Sequence, residues 1–208
     1  MITVSGNAQA QTTSGPGSNV VGATIDVFDA ANPATALGTM ATDGSGNFSI
    51  TVPTGGVALN GYVKATASGY VDSYLWPPAP LTANYTGASV NFISSTDEAL
   101  ATGVFCQVSG GQGSSSALIG LEVEDGSGNT IGSAVVKTDP AAGKACYDGS
   151  NGLPSAAETS TYTDGVALMI NVPAGDITLS ATKSGSTFTS HTVTGVAGAF
   201  TTTIIVEQ

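Results

Sequence analysis

His191 is the only histidine in the chain. It stands in Thr189-Ser190-His191-Thr192-Val193, an alternating stretch that puts it on one face of a late strand. A Ser-His-Asp hydrolase needs a nucleophile held against such a base, and no Gly-x-Ser-x-Gly elbow on a strand-turn-helix supplies one. The residue is therefore expected at the surface, and no catalytic residue is assigned. Glu122 and Glu124, two apart, share a strand face and are the one carboxylate pair that invites glycoside chemistry. With Leu121 and Val123 turned inward, both acids are expected in solvent. Asp43-x-Ser45-x-Asn47 and Asp125-x-Ser127-x-Asn129 open like oxygen-rich calcium loops. Thr54 and Val136 occupy the twelfth positions, where a bidentate acid belongs, so the EF-hand pattern fails. Asp148 with Asn151 leaves a looser oxygen site as an alternative; no metal ligand set and no cofactor is predicted.

Cys106 and Cys146 have neither a second cysteine pair nor a nearby histidine, which excludes a zinc site and a CxxC redox motif. A disulfide is the simplest use of them. It would contribute about 3 to 4 kcal/mol in the chain-entropy model and favours an oxidising compartment, periplasmic, cell-surface or extracellular. Tyr70, Tyr74 and Trp76 share parity, so a strand there would carry all three rings on one face. Exposed, they form a stacking platform for a sugar ring; buried, they fill a core or an interdomain contact, the preferred expectation in a chain with 28 glycines. Lys64 is the only lysine on a strong strand, and the facing Asn and buried acid of an isopeptide bond are not evident beside it.

Only 9% of residues are charged, against about 25% in a typical soluble domain. Four lysines, no arginine and fifteen acids give a net charge of -11. Lysines scattered singly cannot neutralise a phosphate backbone or an anionic bilayer, so nucleic acid and acidic membrane are excluded as partners. No apolar run approaches the roughly 20 residues of a membrane helix. No signal segment follows Met1, and an export signal is expected to have been removed.

The elements that must position these groups are short alternating runs bounded by Gly, Asn, Asp, Ser or Pro. Strands are predicted over 20–28, 47–52, 61–67, 89–93, 103–108, 117–124, 166–172, 176–181 and 201–206. The only helical signal is a single turn over 154–158. The chain reads as all-β.

Thr42-Asp43-Gly44, an alternation and Val52-Pro53-Thr54-Gly55 are matched by Thr163-Asp164-Gly165, an alternation and Val172-Pro173-Ala174-Gly175. The runs 63–69 and 179–185 then correspond, and each half closes on a β-rich segment. Ile25 to Asp29, which precedes the first block, is matched with Leu121 to Asp125. These correspondences predict two tandem Greek-key β-sandwich domains, over 1–95 and 99–208. The second carries an inserted loop with Cys146, and each is expected to fold by itself.

The run Gly-Ala-Thr-Ile-Asp-Val-Phe-Asp at 22–29 and Thr-Asp-Gly-Ser-Gly-Asn-Phe at 42–48, followed by Val52-Pro53 and Gly55, resemble the carboxypeptidase regulatory-like family. The second half is similar to divergent bacterial relatives through Cys146-Tyr147-Asp148-Gly149 and Asn171-Val172-Pro173-Ala174-Gly175. The resemblance implies prealbumin-like (transthyretin-like) sandwiches, extracytoplasmic and without catalytic residues. The expected function is a non-catalytic surface or secreted spacer, scaffold or adhesion element. The alternatives are a carbohydrate-binding module using Tyr70, Tyr74 and Trp76, and a self-assembling fibre or surface-layer subunit. The partners these imply are polysaccharide, another surface protein or a second copy of the chain.

Overall fold

A computed structural model describes residues 1–13 and 15–208. The first half contributes β1 (Ile2–Thr12), β2 (Gly15–Asn19), β3 (Thr24–Asp29), β4 (Gly38–Ala41), β5 (Asn47–Val52), β6 (Gly61–Thr66), β7 (Ser73–Leu75) and β8 (Tyr85–Ile93). A helical linker follows, α1 (Ser95–Ala99) running into a π-helical turn (Leu100–Phe105). The second half contributes β9 (Ser116–Glu124), β10 (Val135–Asp139), β11 (Lys144–Asp148), β12 (Pro154–Ser155), β13 (Val166–Pro173), β14 (Gly175–Thr182), β15 (His191–Gly195) and β16 (Phe200–Val206). The all-β expectation holds.

Each half is a sandwich whose inward residues alternate with polar outward ones, as in Phe48, Ile50 and Val52 of β5. In the first, β1 pairs with β5 and β2 along one edge and with β8 along the other. That sheet packs over β4-β3-β6-β7 around Val4, Ile25, Val63, Leu75 and Phe92. In the second half, β13-β9-β16 packs over β10-β14-β15 around Ile119, Val123, Ile177, Leu179 and Ile205.

Several hydrogen bonds recur in both halves. The buried Thr42 hydroxyl donates to the Val20 carbonyl at 2.7 Å and accepts from the Ala23 amide at 2.9 Å. The buried Thr161 hydroxyl does the same with Ile131 and Ala134, at 2.8 and 3.0 Å. The Val20 amide bonds the Ala8 carbonyl as that of Ile131 bonds Val123, and the Ala8 amide bonds Gly46 as that of Val123 bonds Gly165. Strand β1 therefore corresponds to β9, β3 to β10, β5 to β13, β6 to β14, β7 to β15 and β8 to β16. Two sequence matches are corrected: Thr42 is equivalent to Thr161, not Thr163, and the strand holding Ile25 to Asp29 corresponds to β10, not β9. The Thr-Asp-Gly runs at 42–44 and 163–165 open alike but stand two places out of register, because a turn sequence serves any hairpin.

The halves are joined by pairing. The first half's β4-β3-β6-β7 layer continues into the second half's opposite layer, giving one nine-stranded sheet ordered β12-β11-β13-β9-β16-β7-β6-β3-β4. The seam is β7 parallel to β16, with Ser73, Tyr74 and Leu75 opposite Phe200, Thr201 and Thr202. It is extended by the Trp76 amide to Thr202 and the Phe200 amide to Asp72, both 2.9 Å.

Residues 103–108, expected as a strand, instead end the linker, and Cys106 caps the π-helical turn. Ser94 starts α1, its side chain accepting from the Asp97 amide at 3.0 Å, the arrangement of an N-cap. Ala101 and Cys106 settle on Leu118, Leu168, Ile170 and Phe200, covering the face of the large sheet that the second sandwich leaves open. The helical turn expected over 154–158 is strand β12 at its start.

Candidate functional site

The aromatic residues divide between two places. Tyr70 leans on Phe92 in the first core, ring centroids 5.4 Å apart. Tyr74 is half-buried and Trp76 buried, on the opposite side of the sheet. The exposed platform weighed as the alternative for Tyr70, Tyr74 and Trp76 is therefore not formed: β7 ends at Leu75, and Trp76 is drawn inward beside β16.

What forms instead is a ring stack across three strands, in which Phe28 and Tyr62, not singled out from the sequence, join Tyr74 and Trp76. Phe28 on β3 stacks on Tyr62 of β6 at 5.2 Å and 15°. Tyr62 stacks on Trp76 at 4.8 Å and 22°, and Tyr74 tilts against it at 6.0 Å. Phe28 and Tyr62 are directly opposed in the β3–β6 ladder, so cross-strand pairing places the rings. The available signal was parity, since Tyr62 and Lys64 must point away from the core that holds Val63 and Ala65. Lys64 closes one end, its ammonium 3.3 Å from Asp72 and 5.9 Å from the Tyr74 ring centroid. The indole N–H of Trp76 is buried without a hydrogen-bond partner among the described residues. Phe28, Tyr62 and Tyr74 each keep part of their surface in solvent.

His191 is half-buried rather than at the surface, and its Nε2 is buried without a partner. Desolvation lowers its pKa below the ordinary 6.5, so it is neutral at pH 7. Among the described residues no serine or carboxylate bonds it.

The acids of the second half gather more closely than expected. The pKa of Glu122 is pushed up to about 7, first by loss of solvent, then by Glu124 and Asp164. The residue itself is exposed, as its strand parity predicts. Asp148 at the end of β11 is 9% exposed, and burial, then Asp164, raise its carboxyl to about 6. Among the described residues no three of His, Cys, Asp and Glu converge as metal ligands. Asn151, named with Asp148 as an oxygen site, turns its Oδ1 to the Leu153 amide at 3.3 Å. Asp43 and Asp125 act within their own turns. Each accepts from the backbone amides two and four residues on, at 2.8 to 2.9 Å; these hold the Asp43 carboxyl below the usual range, and for Asp125 the Asn129 side-chain amide, donating at 2.8 Å, does so first, with the backbone amides after it.

Cys106 and Cys146 are bonded and fully buried, tying the end of the linker to β11. The bridge thus fixes the linker to the large sheet, where a strand-to-loop tie was expected.

No family model matches the chain, and no curated protein is similar to it. Among solved structures, the chain is similar over its whole length to the Bacillus anthracis TIE protein, at 12% identity and TM-score 0.30, and spans 34% of that protein. It is similar to the minor pilin of Streptococcus agalactiae at 10% identity and TM-score 0.32, covering 100% of this chain and 95% of that one. The shaft pilin SpaA of Lactobacillus rhamnosus GG stands at 10% identity and TM-score 0.31, covering 99% and 96%. Likeness at this level transfers neither fold nor activity, and the architecture described above rests on the chain's own geometry.

Proposed function

We propose that the chain is a non-catalytic extracytoplasmic module of a bacterial surface or secreted protein, related to the carboxypeptidase regulatory-like family and serving as a spacer, scaffold or adhesion element. The observation that carries this reading is the seam. Two sandwiches joined by a shared nine-stranded sheet, a buried tryptophan and a helix stapled by a disulfide form one stiff body, where a flexible linker would let two domains move independently. The buried disulfide supports an oxidising location. Antibody labelling of intact cells, combined with thiol alkylation before and after reduction, tests the proposal. Surface signal with both cysteines blocked until reduction is expected; a signal confined to lysed cells, or free thiols in situ, would overturn it.

A second reading, polysaccharide binding, is favoured by the half-exposed rings of Phe28, Tyr62 and Tyr74 beside the Lys64–Asp72 pair. Tyr74 is shared with the strip named from the sequence; Tyr70 and Trp76 would act only through packing. A glycan array should then give a signal that Tyr62→Ala abolishes. Retention of the signal in that variant, or an empty array, eliminates this reading.

A further inference from the structure

The duplication leaves two strand edges unused. Inside the molecule, β7 of the first half pairs in parallel with β16 of the second. The equivalent of β7 is β15 and the equivalent of β16 is β8, by their pairing: β8 runs parallel to β1 as β16 does to β9, and β7 antiparallel to β6 as β15 does to β14. Among the described residues β15 pairs only with β14, and β8 only with β1. The two halves have thus joined one edge of each type and kept one edge of each type without a strand partner among the described residues, the Ile93 carbonyl at the end of β8 alone accepting from the Val71 amide at 3.0 Å.

We infer that a second copy of this chain is the partner of these edges, β15 of one molecule adding in parallel to β8 of the next as β7 adds to β16 within the molecule. The inference deepens the structural reading above and rests on it. Three observations support it. The internal seam shows that this pair of edge types is compatible in direction; β8 bulges at Gly87 (φ +75°), where β16 does not, and pairs without a further shift from Ala88 to Ile93. Neither β8 (YTGASVNFI) nor β15 (HTVTG) carries a lysine, an acid or a proline, the residues that natural edge strands use to repel a neighbour. Thr86 and Ser89 on β8, and Thr192 and Thr194 on β15, are exposed. Because the two edges differ, the contact is heterologous: each molecule offers one of each, so addition leaves a free β8 at one end and a free β15 at the other, and growth does not close at a dimer.

The partners are separable by mutation. Thr192→Pro removes an amide from the β15 edge and Thr86→Pro one from β8, positions at which an edge strand tolerates proline. Thr192→Lys and Thr86→Lys serve if either proline variant melts early. Light scattering over a concentration series should show wild-type mass climbing beyond that of a dimer. Each edge variant alone should stay at the 20.3 kDa of one chain, and an equimolar mixture of a β15 variant with a β8 variant should give a one-to-one complex and nothing larger. A wild type that remains monomeric, a plateau at a symmetric dimer, or a mixture that fails to combine would overturn the inference. Monomers from a protein that still labels on intact cells refute only the assembly. Failure of surface labelling with assembly intact refutes only the location.

Discussion

Asp148 shows how one side chain carries a pH signal without any reaction. Its folded pKa of about 6 lies above the ordinary 3.8, so the native state holds a proton the unfolded chain has released. Stability from this group is therefore complete below pH 3.8 and is lost as pH rises through about 6. Asp148→Asn should melt with wild type at pH 3 and exceed it at pH 8, by on the order of 1 to 3 kcal/mol. A gap that is the same at both pH values in thermal melts would refute the assignment. His191 works in the opposite sense, losing stability as pH falls, which is why the comparison is with the variant and not with the wild-type curve alone. The paired threonines make a second prediction at this scale. Thr42→Val and Thr161→Val each leave one backbone carbonyl and one backbone amide without a partner in a buried turn. Each should cost about 1 to 3 kcal/mol in urea unfolding, and the two costs should be similar. Loss at one site and none at the other would contradict their equivalence.

At the scale of elements, strands with large inward residues could be read in the chain and strands with small ones could not. Strand β5 matches its predicted bounds because Phe48, Ile50 and Val52 alternate against polar neighbours. Strand β1, which pairs with three others, was not predicted, since its inward positions include only Ala8 and Ala10 after Val4. Between Val4 and Ala8 stands Gly6, where β8 passes close: a Cβ there would lie 1.8 Å from the Ala88 carbonyl oxygen, a backbone atom that cannot turn aside. Gly6→Ala should force β1 and β8 apart, at a cost of about 1 to 3 kcal/mol or more, seen as faster amide exchange along both strands. Protection equal to wild type would mean that the close approach is not required. The linker was misread as a strand because Val104, Cys106 and Val108 alternate. The Ser94 cap and the acids at 97 and 98 were the helical signals present. The seam was illegible for another reason. Thr201, Thr202 and Thr203 look like a solvent-facing strand, yet all three are buried, with Thr202 and Thr203 donating to the carbonyls of Tyr74 and Trp76 at 3.3 and 2.9 Å. Hydroxyls can be buried where a carbonyl from the other half receives them, and that partner lies more than a hundred residues away.

For the whole molecule, the shared sheet bears on whether the halves unfold separately. Two tandem sandwiches on a flexible linker would melt in two steps. Here separation would strip β7 of its partner, uncover Trp76, and break hydrogen bonds contributed by the seam threonines. The free energy of the seam is thereby part of both cores, and a single cooperative transition is expected. Trp76 is the only tryptophan, so its emission reports the seam alone, while the far-ultraviolet circular dichroism reports strands throughout. In wild type the two signals should share one midpoint in guanidinium. Trp76→Ala removes a buried indole from between Tyr62 and the second core. It should lower stability by about 3 to 5 kcal/mol, and it should also split the calorimetric transition, because the remaining strand pairing at three residues is too short to keep the halves coupled. A Trp76→Ala protein that melts lower but still in one transition would place the coupling in the linker and its disulfide instead. Repeating the melt after reduction of Cys106–Cys146 would then separate the two.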